Sequence, residues 1–155
     1  MGGCEAELRE CLVARTIPPD TLTRAIAVAK IRAVETSIAL CHALKQEVGS
    51  YALMWNTGFE NTDFLQCCKF AEGDSRILMQ KMARDRLKLE ASAGGNGNAA
   101  EAALCARIGA GMAAAAKEGA GRKEAWDAQW VEVYELAELV MQRNVAAYTD
   151  SSGTK

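Results

Sequence analysis

The chain is organised around residues 70–78, which read Phe70-Ala71-Glu72-Gly73-Asp74-Ser75-Arg76-Ile77-Leu78. A glycine follows a carboxylate in this stretch, and two good N-cap residues, Asp74 and Ser75, come next. A helical pattern then runs to about Glu90. The sequence therefore predicts that Glu72 lies just ahead of a helix N-terminus, where the helix dipole favours negative charge. A carboxylate in that place either starts the helix or serves as a positioned base.

The composition predicts an all-α protein. The chain has 155 residues, of which 50% are hydrophobic and only 6% aromatic, and it contains 2 prolines. Alanine, the best helix former, supplies much of the apolar content, and this length suffices for a real core. The net charge of −2 gives no field that would favour nucleic acid. No apolar run approaches the roughly 18 residues of a spanning helix, so we expect no transmembrane segment.

The cysteine pattern argues against a metal site and against a disulfide framework. The six cysteines stand at positions 4, 11, 41, 67, 68 and 105, and none forms a Cys-x-x-Cys pair. The single histidine, His42, has no partner at ligand spacing and falls on the polar side of its helix. We therefore expect no metal ligands. We also expect the thiols to be reduced and the protein to be intracellular, in the cytosol or in an organelle interior.

Apolar spacing predicts an up-and-down helical bundle. The predicted helices cover residues 5–16, 21–48, 63–70, 74–90, 99–118 and 122–147. The 21–48 helix is apolar over most of its circumference, so we expect it at the centre of the bundle, packed on two or three sides. Gly49 is expected to end this helix, and residues 50–62 are expected to form a loop.

The second half of the chain is predicted to add a helical hairpin to the first. Residues 91–98 are rich in glycine and asparagine and are interpreted as a linker that follows a first part, 1–90. The hairpin covers residues 99–147, and residues 148–155 are interpreted as a frayed tail. Three aromatic side chains of the last helix are candidates for partner contacts: Trp126, Trp130 and Tyr134. A membrane interpretation of residues 99–118 is weak, because charged residues bound a short segment.

Three motifs resemble the C-terminal helical domain of the acyl-CoA dehydrogenase and oxidase flavoprotein family, over residues 22–87. That family ends a long helix with Gln-x-x-Gly-Gly, and here the 21–48 helix ends with Gln46-Glu47-Val48-Gly49-Ser50. The family opens its last core helix with aromatic-Glu-Gly-Thr-Ser-x-Ile, and here residues 71–77 occupy that place. The segment 83–85, Ala-Arg-Asp, is similar to the family's Ile-Ala-Arg close.

The resemblance implies roles for four residues. Glu72 matches the glutamate that removes the α-proton of an acyl thioester while the flavin accepts a hydride, a task that requires an ionised base within hydrogen-bond reach. Gly73 matches a residue that approaches the flavin. Gln46 and Gly49 match the segment that contacts the flavin of the neighbouring subunit in the family's dimers.

Departures from the family pattern favour a chain without catalysis. Ser50 replaces the second glycine, Ala71 replaces the aromatic residue, and Asp74 replaces the threonine, which places negative charge near a pyrophosphate-bearing cofactor. The family's N-terminal and middle domains have no counterpart, so we expect no cofactor on this chain alone, and FAD only if other domains complete it.

Three functions are compatible with these observations. The preferred one is a non-catalytic accessory or scaffold subunit, a pseudoenzyme expected in a larger, organellar complex with protein partners. The alternatives are the catalytic C-terminal part of an FAD-dependent acyl-CoA dehydrogenase and a small helical binding module. Homo-oligomerisation is left open.

Overall fold

A computed structural model describes residues 2–71, 73–93 and 97–152 of the chain. The α-helices are α1 (Gly2–Ala14), α2 (Asp20–Val48), α3 (Thr62–Cys67), α4 (Ser75–Ala93), α5 (Ala99–Lys117), α6 (Arg122–Asp127) and α7 (Trp130–Ser152). Two 3₁₀ helices, Gly49–Leu53 and Phe59–Asn61, lie between α2 and α3. No strand occurs in the part of the chain that the structure describes, and the prediction of an all-α protein is confirmed.

The chain forms two compact units, residues 1–75 and residues 76–155. In the first unit, α1, α3 and the first 3₁₀ helix pack against α2. The buried residues of α2 all lie in its first half: Leu22, Ala25, Val28 and Ile31. Beyond Ile31 no residue of α2 is buried, so the expectation of a central helix packed on two or three sides is wrong for the second half. The elements that come after α2, between Gly49 and Cys67, are too short to cover its second half.

The second unit has its core between α4, α5 and α7. Its buried cluster consists of Ala83, Leu104, Cys105, Ile108, Val133, Leu136, Ala137 and Val140. The helices α5 and α7 run antiparallel. This orientation is seen from two contacts: Arg107 donates a hydrogen bond to Glu132 near one end of the pair, and Arg143 donates to Glu101 near the other. Apolar side chains of α4, including Met79 and Leu87, pack against this cluster.

The predicted helix over residues 122–147 is broken. The helix α6 ends at Asp127 and α7 begins at Trp130, although no glycine or proline separates them. The residues of this turn lie beside α5, where a Cβ atom at Gly111 would collide with the side chain of Gln129. Residues 148–152 continue α7, and residues 153–155 of the predicted tail lie outside the described residues.

Candidate functional site

The segment around the predicted base is tied to α2 by one lysine. Lys30 Nζ donates hydrogen bonds to Lys69 O at 2.8 Å, to Gly73 O at 2.8 Å and to Ser75 Oγ at 3.0 Å. The Ser75 amide also donates to Lys69 O at 2.9 Å. Lys30 therefore donates its three ammonium protons to two backbone carbonyls, one on each side of position 72, and to the Ser75 hydroxyl. Glu72 itself lies outside the described residues.

Both glycines that the resemblance assigns to flavin contact have local conformational roles. Gly73 has φ +102° and Gly49, the C-cap of α2, has φ +55°. Both angles lie in the region that glycine adopts without a Cβ penalty. Gly49 ends α2 as predicted. Glycine is therefore favoured at both positions by the backbone, whether or not a cofactor approaches.

The structure does not bring Gln46 and Gly49 together with Gly73 in one chain. Lys30 contacts Gly73, whereas Gln46 lies about 24 Å from Lys30 along the axis of α2, at the usual rise per helical residue. Gln46 and Gly49 are both exposed. A flavin touched by both motifs would therefore need two copies of the chain, the arrangement that the resemblance implies for the family's dimers.

Large apolar side chains are exposed at the C-terminal end of α2 and in the turn that follows. This surface, here named the apolar end, consists of Leu40, Leu44, Val48, Tyr51, Leu53, Met54 and Trp55. Leu40, Leu44 and Val48 lie one turn apart on one face of α2. Leu53 is 89% exposed and Trp55 is 88% exposed. Monomeric proteins rarely expose large contiguous apolar patches, so the apolar end is a candidate interface.

Two further aromatic side chains are exposed in the same unit. Phe64 on α3 is 74% exposed, and Phe70, just beyond that helix, is 69% exposed. A contact of 3.5 Å between Cys41 Sγ and Thr62 Oγ1 joins α3 to the second half of α2. The apolar spacing of residues 63–70 predicted a helix but does not show what covers its apolar face, because periodicity identifies only the residues that share a face.

The predicted partner-contact aromatics divide into two groups. The Arg84 guanidinium lies 4.8 Å from the ring centroid of Trp126, and the Arg76 guanidinium lies 4.9 Å from that of Tyr134. Gln80 Nε2 also donates to the Tyr134 hydroxyl at 3.2 Å. Trp126 and Tyr134 are thus held by cation–π contacts from α4. Trp130 is 61% exposed.

A buried ion network joins α4, α5 and α7. Glu101 accepts hydrogen bonds from Arg86 Nε at 2.7 Å and from Arg143 Nε at 2.6 Å, and Arg86 also donates to Glu90 at 2.7 Å. Burial acts to lower the pKa of Arg86, but its bonds to Glu101 and Glu90 outweigh burial and raise that pKa. The network was missed from the sequence, although the Arg86–Glu90 spacing signalled one of its pairs.

None of the six cysteines, all of which lie in the described ranges, forms a disulfide. Cys67 is exposed, whereas Cys105 is buried in the core of the second unit. Burial raises the pKa of the Cys105 thiol, and this keeps it protonated and unreactive. Over the described ranges, no group of three or more His, Cys, Asp and Glu residues is placed to hold a metal ion.

A cleft of about 770 Å³ opens between α4, α5 and α6 in the second unit. Its lining includes the apolar side chains Leu87, Ala91, Ile108, Met112 and Trp126 and the charged side chains Arg84, Lys88, Arg122, Lys123 and Asp127. The sequence analysis did not find this cleft, because its residues come from three helices whose packing is not visible in the pattern.

The helix α5 is long and apolar enough to cross a membrane by length and composition alone, with a mean hydropathy of 1.2. Core helices pass the same test, and α5 places Leu104, Cys105 and Ile108 in the core of its unit. The helix is weak evidence for a membrane span.

Comparisons with protein-family models, with curated proteins and with solved structures gave no significant match. The resemblance to acyl-CoA dehydrogenases therefore rests on the quoted motif residues.

Proposed function

We propose that this chain is a non-catalytic helical subunit that binds a protein partner through the apolar end. The single observation that carries the proposal is the exposure of seven large apolar side chains at the end of one helix and in its following turn. Fully burying one such side chain contributes about 1.5–3 kcal/mol, so a partner that covers several of them gains substantial binding free energy. Trp55 and Tyr51 are of the residue types that dominate interface energetics.

The chemistry of this surface favours a protein as the partner. Interface cores are apolar and depleted in charge, with aromatic side chains and methionine enriched, and the apolar end combines Met54 with two aromatic residues. Its nearest charges in the sequence, Lys45 and Glu47, have opposite sign, so the surface lacks the basic character that phosphate backbones require. The larger complex predicted from the sequence is the setting that we propose for this contact.

Descent from an acyl-CoA dehydrogenase-like domain belongs to the same proposal. The order of the Gln46–Gly49 and Glu72–Gly73 motifs along the chain supports that descent. Asp74 places a carboxylate where the family has a threonine, and like charges near a pyrophosphate weaken its binding. The proposal therefore assigns this chain a structural role without FAD. If the likeness is accidental, the same surface makes the chain a small helical binding module.

One observation favours a second candidate, the catalytic part of an FAD-dependent acyl-CoA dehydrogenase that other domains complete. Lys30 holds the carbonyls of Lys69 and Gly73 on either side of Glu72, which is the backbone support that a positioned base requires. Co-expression with partner chains, followed by an absorbance scan across the flavin bands, separates the two candidates. The second candidate predicts a flavin spectrum and dehydrogenase activity in the unaltered complex, and loss of that activity in Glu72→Gln. This result would overturn the first candidate.

Native purification of the tagged chain with light scattering tests the first candidate. The proposal predicts a stoichiometric complex with another protein or with a second copy, heavier than the 16.6 kDa chain. A colourless monomer at all concentrations, in its native source, contradicts it.

A further inference from the structure

We propose that the cleft between α4, α5 and α6 binds a single-chain anionic amphiphile, with the apolar tail on its floor and the anionic head at its rim. The cleft volume of about 770 Å³ falls within the range of about 300–1,000 Å³ that is usual for small-molecule sites. All of its lining residues belong to the second unit, whereas the apolar end belongs to the first. This site is therefore separate from the proposed protein interface.

The floor of the cleft suits an alkyl chain. Leu87, Ile108, Met112 and Trp126 supply aliphatic and aromatic surface from three different helices. Met112 is flexible and polarizable, so it adapts to a tail of variable shape. The Trp126 ring is oriented by the Arg84 guanidinium at 4.8 Å, and this contact presents both an apolar face and a cation at the same place.

The rim of the cleft is basic in a chain whose net charge is negative. Arg84, Lys88, Arg122 and Lys123 line it, and Asp127 is the one acidic residue among the lining side chains. Asp127 accepts a hydrogen bond from Lys123 at 3.0 Å, and Lys88 Nζ lies 3.9 Å from Asp85, which is outside the lining. Arg84 and Arg122 are ion-paired with no acid of the lining. The whole chain carries a net charge of −2, so this concentration of cations runs against the global balance. A carboxylate or phosphate is the complementary head group.

A glycine in the interior of α5 lines the same cleft. Gly109 lines it from within a helix, where glycine is less stable than alanine. A Cβ atom at Gly109 would meet no atom within 4 Å, so packing among the described residues does not require glycine there. Glycine in such a place allows a ligand to approach the backbone closely.

The spacing of the cations favours a compact head group over an acidic peptide. Arg84 and Lys88 lie one helical turn apart, about 6 Å, and Arg122 and Lys123 line the same cleft from α6. One multivalent anion bound in the cleft would face cations from two helices. A peptide helix would instead distribute its carboxylates along a row of several turns.

The test uses Trp126 as the reporter. The chain has 3 tryptophans, and Trp55 and Trp130 are 88% and 61% exposed, so Trp55→Phe with Trp130→Phe leaves Trp126 as the only tryptophan, whose emission is excited selectively over that of tyrosine. The full chain is titrated with dodecyl phosphate, dodecanoate and dodecyltrimethylammonium, each below its critical micelle concentration. We expect saturable emission changes with both anions and at least tenfold weaker binding of the cation. The tighter anion identifies the head group as phosphate or carboxylate.

A substitution inside the cleft is compared with one outside it. Gly109→Phe places a ring in the cleft and is expected to weaken both anions at least tenfold, whereas Lys117→Glu, at an exposed position of the same helix outside the cleft lining, should leave their affinity unchanged. Arg122→Glu, at an exposed rim position, is expected to weaken them similarly and keeps the test valid if Gly109→Phe does not fold.

Three results would overturn the proposal: no saturable response to either anion, equal binding of the cation, or anion binding that neither Gly109→Phe nor Arg122→Glu weakens. An acidic amphipathic model peptide serves as the competing probe. If it binds more tightly than both anions and loses that affinity in Gly109→Phe, the cleft is a protein-binding groove and the amphiphile assignment is wrong.

Discussion

Arg86 and Glu101 form a buried ion pair with 2.7 Å between Arg86 Nε and Glu101 Oε2, and their side chains are 3% and 0% exposed. Arg143, on α7, forms a second ion pair with the Glu101 carboxylate, so this one glutamate links α4, α5 and α7. Buried pairs of this kind contribute little net stability relative to apolar residues, but removal of one partner is severe because it leaves the other charge uncompensated.

We expect Glu101→Gln to lower the free energy of unfolding of the second unit by about 3–5 kcal/mol. The substitution keeps the shape of the side chain and removes the charge that faces the buried Arg86 guanidinium. Urea unfolding followed by circular dichroism measures the loss. Arg107→Gln is the control, because its pair with Glu132 is 61% and 25% exposed and should be worth less than about 1 kcal/mol. Equal losses in the two variants would contradict the account of the network.

The thiol of Cys105 should react far more slowly than that of Cys67. Burial raises the pKa of Cys105 and excludes reagent, whereas Cys67 is exposed. Reaction with a disulfide reagent such as DTNB at pH 7–9, with Cys67→Ala and Cys105→Ala to assign the phases, measures both rates.

The raised pKa of Cys105 also predicts how stability depends on pH. Because the pKa is higher in the folded state, the contribution of this thiol to stability is full below the unfolded thiol pKa of about 8.5 and declines as pH rises above it. An alkaline decline that is identical in Cys105→Ala would rule this out.

Lys30→Met should loosen the segment on both sides of position 72. It removes three hydrogen bonds from Lys30 Nζ, including those to the carbonyls of Lys69 and Gly73. At about 1 kcal/mol for each bond, we expect the Ser75 amide to exchange with solvent at least tenfold faster. Hydrogen-exchange mass spectrometry measures the change. Lys45→Met on the same helix is the control and should leave the protection of this amide unaltered.

Two glycine-to-alanine substitutions should change stability in opposite directions. Gly73→Ala forces a side chain into φ +102° and should destabilise the fold by about 1–3 kcal/mol. Gly109→Ala, in the interior of α5 with open space around its Cβ position, should stabilise the fold by about 0.5–1 kcal/mol. Thermal unfolding of both variants beside the unaltered chain provides the comparison. A stabilised Gly73→Ala variant would show that the backbone there relaxes.

Local signals allowed some of the element boundaries to be predicted from the sequence. The Pro18-Pro19 pair separates α1 from α2, Gly49 ends α2, and Asp74 precedes α4, which begins at Ser75. Each of these signals acts through backbone angles or caps within a few residues, so the sequence is sufficient. The break before Trp130 escaped prediction because no glycine or proline marks it in the sequence.

The candidate sites depended on information that a single sequence does not contain. The apolar residues of the second half of α2 were assigned to the interior, since their periodicity is the same whether another element covers them or not. The pairing of Arg86 with Glu101 and the convergence of Arg84 with Trp126 join separate helices. The roles that the resemblance gives to Glu72, Gln46, Gly49 and Gly73 stay predictions.

The central claim is that the apolar end binds a protein, and one comparison tests it most directly. Native pull-downs of the tagged chain are run in parallel on the unaltered protein, on Leu44→Ser, on Trp55→Ala and on Ile17→Ser, with bound proteins quantified by mass spectrometry. Ile17 is the matched control, because it is 92% exposed and lies outside the apolar end. All three substituted side chains are exposed, so each variant should fold.

We predict a stoichiometric partner, or a second copy of the chain, that Ile17→Ser retains. Leu44→Ser and Trp55→Ala should each weaken that binding by about 30-fold, the equivalent of about 2 kcal/mol for an interface hot spot. If the partner is retained equally by all four proteins, or if none of them binds anything at stoichiometric level, the apolar end is not an interface and the proposed function is wrong.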